Sequence, residues 1–209
     1  MNENTGDQKL DVQTQSEGAG PMYHRVYAVD LPVTYDAALK VMKEMMADPN
    51  PFSPKLIATF EKTRGDTGVL RVDDEFLVRI TGPWQGPVRV AQVTDSSFTL
   101  LTLNGHIEAG HINFRLMDRP DGNGRFEIES VTRSKDLIVD FFYDKLRLAQ
   151  FAQTEMWELF CKSFAKKSLE ANGLPETDLP EVEVKTERQD RATGHWEDVS
   201  GQLGANAIS

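Results

Sequence analysis

Between residues 86 and 134 the chain leaves no room for a helix. Four segments there, 86–95, 97–104, 106–118 and 125–134, are separated by turns only a few residues long. One of these turns is Pro120-Asp121-Gly122-Asn123-Gly124. Ile112, Phe114 and Leu116 share one face of their segment, while His111, Asn113 and Arg115 share the other. Phe126 and Ile128 stand against Glu127 and Glu129 in the same way. A period of two is the mark of a half-buried strand. Parallel pairing would need crossovers of a dozen residues or more, so strands joined this tightly must run antiparallel.

The flanks extend the pattern. Residues 75–81 read as another strand, with Phe76, Val78 and Ile80 opposite Leu77 and Arg79, followed by the turn cluster 82–87. Residues 22–33 read as a first strand, where Tyr23, Arg25 and Tyr27 alternate with His24, Val26 and Ala28. Thr34 caps a helix with apolar residues at Ala38, Val41, Met42 and Met45, and Asp48-Pro49-Asn50-Pro51 ends it. Met42, Met45 and Met46 either line an adaptable pocket or simply pack the core. Ser53-Pro54 is a second helix-start signal and predicts a short helix to about Arg64, with Gly65 as its stop.

After the meander, residues 136–172 contain neither Gly nor Pro. Ile138, Phe141, Phe142, Leu148, Ala149, Ala152, Met156, Leu159, Phe160 and Phe164 form an apolar stripe at helical spacing. A straight helix of this length would overrun a small domain, so a bend or break is expected near residues 145–147. Asn172-Gly173-Leu174-Pro175 is a helix stop. One long amphipathic helix can bury its stripe only against the apolar face of the sheet. The expected fold is α+β: a curved antiparallel sheet packed on one long C-terminal helix.

The net charge of −10 lies mostly in residues 1–21 and 174–209, and residues 22–173 are nearly neutral. The two acidic ends hold few large apolar residues and are expected to be disordered tails around one domain. No basic face is available for a phosphate backbone, which argues against nucleic-acid binding. No apolar run is long enough to span a membrane, and the first residues lack the features of a signal peptide. A single cysteine, Cys161, excludes an intramolecular disulfide and fits a reducing compartment, so a cytoplasmic location is expected.

Several stretches resemble one family. They are Gly82-Pro83-Trp84, Pro87-Val88-Arg89-Val90, Gly105-His106-Ile107-Glu108-Ala109-Gly110 with Phe114, and Phe126-Glu127-Ile128 with Arg133-Ser134. Together they are similar to an uncharacterised family of bacterial and plant proteins, domain of unknown function nineteen-ninety, over roughly residues 23–171. Many of its members carry proline after the arginine, where this chain has Ser134. The resemblance implies the helix-grip fold of the START-like and birch-pollen-allergen-like superfamily. Relatives in that superfamily mostly hold hydrophobic ligands between sheet and helix, and some are cyclases or hydrolases. No reaction follows from the family itself.

His106-Ile107-Glu108 with His111 hints at a metal site, but His106 and Glu108 share a strand face that His111 leaves unless Gly110 makes a bulge. Two ligands are too few, and no metal or organic cofactor is expected. Cys161 lies in an apolar helical run and reads as a buried hydrophobe, and no Gly-x-Ser-x-Gly elbow or phosphate loop occurs. Arg79, Arg89 and Arg133 lie in or at the ends of apolar strands. Each is either a ligand-pairing group facing a cavity or part of an outer face with cross-strand ion pairs. The expected cavity is lined by Ile112, Phe114, Phe126 and Ile128 from the sheet and by Phe141, Phe142, Leu148 and Ala152 from the helix. Ligand contacts are expected from Arg79, Trp84, Arg89, His106, Glu108 and Arg133. The expected function is binding of a small hydrophobic or amphipathic molecule. The alternatives are an enzyme with His106 and Glu108 as acid and base, and a protein-interaction module.

Overall fold

The alternating segments pair into a single sheet. In the computed structural model, which describes residues 11–18, 21–55, 57–80, 85–134 and 143–200, the strands are β1 (Met22–Thr34), β2 (Ala58–Arg64), β3 (Glu75–Ile80), β4 (Gln85–Val93), β5 (Ser97–Thr102), β6 (Glu108–Asp118), β7 (Asn123–Ser134), β8 (Glu183–Gln189) and β9 (Trp196–Asp198). Their order is β2-β3-β4-β5-β6-β7-β1-β8-β9, with every neighbouring pair antiparallel. Helix α1 (Tyr35–Ala47) follows β1, and its Thr34 cap accepts the Ala37 N–H at 3.4 Å. Helix α2 (Tyr143–Ala171) runs without a break through residues 145–147, where a bend or break was expected. It stops at Gly173, whose φ of +67° lets Leu174 N–H reach back to the Leu169 carbonyl at 3.0 Å.

The core lies between the helices and the concave face of the sheet. Tyr27 and Val29 on β1, Phe114 on β6 and Phe126 and Ile128 on β7 are all buried there. From α2 come Met156, Trp157, Phe160, Cys161, Phe164 and Ala165. Phe126 stacks on Phe164 with centroids 4.0 Å apart. Phe160 sits among Phe52, Phe60, Phe114 and Trp157. Leu159, expected in the buried stripe, is 40% exposed. Trp157 and Cys161 flank that position on the buried side, because the helix faces the sheet along 157, 160, 161 and 164. Burial pushes the Cys161 thiol far up, with help from the Glu158 and Glu127 charges, so it is the inert hydrophobe expected.

Three expectations need correction. Residues 58–64 are strand, not helix. Ala58 and Phe60 are buried while Thr59 and Glu61 are exposed, a period of two. The Ser53-Pro54 signal instead builds a turn in which Ser53 Oγ donates to the Ala58 carbonyl at 2.8 Å. The Asn50 side chain then bonds both backbone groups of Phe60, at 2.8 and 2.9 Å, and so fixes where β2 begins.

The acidic C-terminal segment is not a disordered tail across its described part, because β8 pairs with β1 from Met22↔Gln189 to Ala28↔Glu183. Val182 and Val184 pack against the core while charged neighbours face out, which a strand next to the sheet edge tolerates. Composition mistook that strand for disorder. At the other end, Val12 bridges Leu103, and Gln13 is buried because its side-chain amide donates to the carbonyls of His106 and Glu108 at 3.2 and 2.9 Å. The expectation of disorder over residues 1–10 lies outside the described residues.

On the convex face His24 joins three strands. Its ring nitrogens lie 2.8 Å from Glu129 on β7 and 2.9 Å from Glu187 on β8, and Trp196 meets its edge. Burial raises the Glu129 carboxyl, but hydrogen bonds from His24 and Asn113 and the charge of Arg115 outweigh it and leave the group below the ordinary range. Lys185 and His24 hold Glu187 low as well. A depressed folded-state value contributes stability that is present above the ordinary carboxylate range and lost as pH falls through the lowered value. Thermal melts from pH 6 to pH 3 should therefore show stability falling in the acid range. A Glu129→Gln variant should show a shallower fall, and one as steep as wild type would mean that Glu129 does not carry the effect.

Candidate functional site

Strand alternation decides which side chains reach the space beneath α2. On β1 the concave positions are Tyr23, Arg25 and Tyr27, and their β7 partners are Thr132, Ser130 and Ile128. Ser130 is paired in turn with Ile112 on β6, and Ile112 with Leu100 on β5. One row across the sheet is therefore Arg25, Ser130, Ile112 and Leu100. The next row, deeper under the helix, is Tyr27, Ile128, Phe114 and Phe98. The concave face thus passes from a largely aromatic and aliphatic floor to a mixed one toward the start of β1 and the end of β7.

Arg25 is 3% exposed. Its Nη1 lies 3.5 Å from Thr132 Oγ1 and 3.8 Å from Glu108 Oε1, and its guanidinium lies 4.6 Å from the Tyr23 ring centre. Ser130 Oγ and Trp157 Nε1 are buried with no hydrogen-bond partner among the described residues. Trp157 packs edge-on against Phe114, beside this row. Tyr23, Glu108 and Ile112 are only half-buried, so this end of the face is not sealed by the described residues. The arrangement presents buried donors beside an apolar wall.

The expected ligand contacts scatter. Arg79 is exposed on the outer face and ion-paired to Glu61 at 2.6 Å. Arg89 is buried on the same convex side and gripped by Glu75 through Nε at 2.9 Å and Nη2 at 2.6 Å. Arg133 also points away from the concave face, where its Nη1 reaches the Gly18 carbonyl at 3.4 Å. For all three the ion-paired or chain-bound outer position applies. Trp84 falls outside the described residues, as do Phe141 and Phe142, and the side chains of Leu148 and Ala152 are likewise not described.

Glu108 does face the concave side, beside Arg25. His106 sits in the preceding loop, where Nδ1 lies 2.9 Å from the Glu108 backbone nitrogen. Its ring packs so closely on Gly86 that a Cβ there would lie 2.6 Å from Nε2. Burial lowers the His106 pKa against the pull of the Glu108 carboxylate and backbone. His111 faces the opposite side, 3.4 Å from Gln15, and the β6–β7 register passes Gly110 without a bulge. Among the described residues no three His, Cys, Asp or Glu side chains cluster as a metal site. None of the described helices is long and apolar enough to cross a membrane.

The expected lining from the sheet is placed beneath α2, but Phe114, Phe126 and Ile128 are packed solid by its aromatics. Met45 and Met46 line an apolar crevice with Phe60, Leu70 and Phe76. Its volume of about 10 Å³ admits one water-sized sphere at most. Met42 is fully buried, so the methionines act mainly as packing. Arg25 was the group the sequence reading passed over. A charge between Tyr23 and Tyr27 on one strand face was the available signal.

A protein from Thermus thermophilus is similar with a TM-score of 0.50 at 11% identity, over 70% of this chain and 98% of its own. Norcoclaurine synthase from Thalictrum flavum, solved in complex with dopamine and hydroxybenzaldehyde, is similar at 0.49 and 11% identity, over 81% of this chain and 95% of its own. Ara h 8.0201 is similar at 0.45 and 14% identity, over 71% of this chain and 99% of its own. At such identities the likeness speaks to the fold alone, which is the helix-grip fold. No curated protein matches the chain. The family described as "Domain of unknown function (DUF1990)" matches residues 52–158, about half of the sequence, and the chain belongs to that family.

Proposed function

We propose that this protein binds a small amphipathic molecule between the concave face of the sheet and helix α2, as a cytoplasmic carrier or receptor. The observation that supports the reading is the row Arg25, Ser130, Ile112 and Leu100. Polar and apolar side chains stand side by side there, and Ile112 with the neighbouring Tyr23 and Glu108 forms a half-buried margin. Small-molecule sites usually have this make-up, apolar walls with a few placed polar groups. The tight aromatic packing around Phe160 confines such a ligand to the end of the face where β1 starts.

A ligand that binds only the folded state adds about 2.7 kcal/mol of stability at a hundredfold excess over its Kd. Native mass spectrometry of freshly purified protein should show an added mass. Fatty acids, isoprenoids or aromatic metabolites should raise the melting temperature in a thermal-shift screen. No added mass and no shift with any compound would reject binding and favour a protein-interaction role.

A further inference from the structure

We infer that the ligand carries an anionic headgroup, a carboxylate or a phosphate, and that Arg25 receives it. This rests on the binding reading above and names the chemistry of its polar end. A guanidinium offers five N–H donors in a planar fork, and burying its charge without close partners is costly. Arg89 shows how this protein ordinarily meets that demand, with two bonds of normal length to the Glu75 carboxylate. Arg25 is more deeply buried, yet its contact to Thr132 is 3.5 Å and its approach to Glu108 is 3.8 Å. At that separation Glu108 balances charge through space without occupying the donors. The Tyr23 ring lies 4.6 Å from the guanidinium and stabilises its charge without taking up a hydrogen-bond donor.

The neighbours point the same way. Ser130 is the direct cross-strand partner of Arg25, and its buried hydroxyl has no acceptor among the described residues. Trp157 Nε1, a donor only, is in the same condition across from Phe114. Among the described residues, the side-chain acceptors in contact with Arg25 are Thr132 Oγ1 at 3.5 Å and the Glu108 carboxylate at 3.8 Å, both long. A carboxylate or phosphate supplies several in one group and pairs bidentately with arginine, while an alkyl or aromatic body would lie along Ile112 and Leu100. A neutral alcohol would fill the apolar part and offer the Arg25 fork no bidentate acceptor.

The test uses the full chain and three probes of equal chain length, dodecanoate, dodecyl phosphate and dodecanol, below their micelle-forming concentrations. Hydrogen bonds to charged groups predict that at least one anion binds about 10- to 100-fold more tightly than the alcohol. The ratio of dodecanoate to dodecyl phosphate identifies which headgroup the site prefers. Arg25→Gln should bring anion affinity down to that of the alcohol and leave the alcohol unchanged. Arg25→Lys, which keeps the charge but loses the fork, should retain part of the preference and serves if the glutamine variant does not fold. Equal binding of all three probes to wild type, or an anion preference that survives Arg25→Gln, overturns the anionic headgroup and leaves the binding reading standing. No binding of any probe rejects both.

Discussion

Phe160→Ala is expected to destabilise the protein by about 3–5 kcal/mol, the ordinary range for emptying a buried aromatic site. For a chain of this size that corresponds to a melting temperature lower by on the order of 10 °C. The magnitude follows from where the ring sits. Phe160 is fully buried, and Phe52, Phe60, Phe114 and Trp157 all contact it with centroids 5.8–6.3 Å away. Those neighbours come from four separate places: the loop before β2, β2 itself, β6 and the preceding turn of α2. Because they are anchored independently, they cannot close together over the space the ring leaves, and the cavity term remains in full. Leu159→Ala, one residue away on the exposed side, is the control and should cost well under about 1 kcal/mol. Thermal or urea melts of the two variants measure the difference. Similar losses in both would show that α2 does not face the sheet along 157, 160 and 164.

The strands were legible because each carries its own evidence. Alternation over β6 and β7 is uninterrupted, and the connections are too short for any other pairing. The same alternation held the answer for the arginines. Val88 and Val90 face the core, so Arg89 between them had to face away, and Val78 and Thr132 likewise set the direction of Arg79 and Arg133. Reading them as cavity groups gave weight to residue type over period. Arg25 shares its face with two tyrosines, and the period alone would have turned it inward.

The misplaced elements failed for a different reason. Ser53-Pro54 begins helices and turns alike, and only the Asn50 side chain bonding Phe60 distinguishes them, a contact across ten residues that local pattern does not show. The ends of the chain were judged on composition. Yet β8 needs only Val184 and Thr186 to face inward, and Gln13 is buried by hydrogen bonding and not by hydrophobicity. Both depend on partners far away in sequence.

Ending the chain at Pro175 is therefore expected to cost about 2–4 kcal/mol, the burial of one fully and two partly buried valines together with their polar contacts. Without β8 the first part of β1, from Met22 to Ala28, becomes a sheet edge with unpaired backbone groups. Val184 and Val182 leave the core margin, and the buried Val199 is lost with them. His24 loses Glu187, and Arg125 loses the carboxylate of Glu183, 2.6 Å away. The ion pairs are half-exposed and add little, so most of the loss comes from the valines and from the β1 edge. That edge runs from Met22 to Ala28 and carries Tyr23, Val26 and Tyr27, so the shortened protein should also associate more readily than the full chain. Melting temperature and size-exclusion profile of the two forms decide it. An unchanged melting point and an unchanged monomer peak would mean that residues 22–173 fold as a complete unit and that β8 and β9 only decorate it. A lower melting point with new oligomers would place the folded boundary well beyond Pro175, with β1 in the interior of the sheet and the proposed Arg25 site sheltered on both sides.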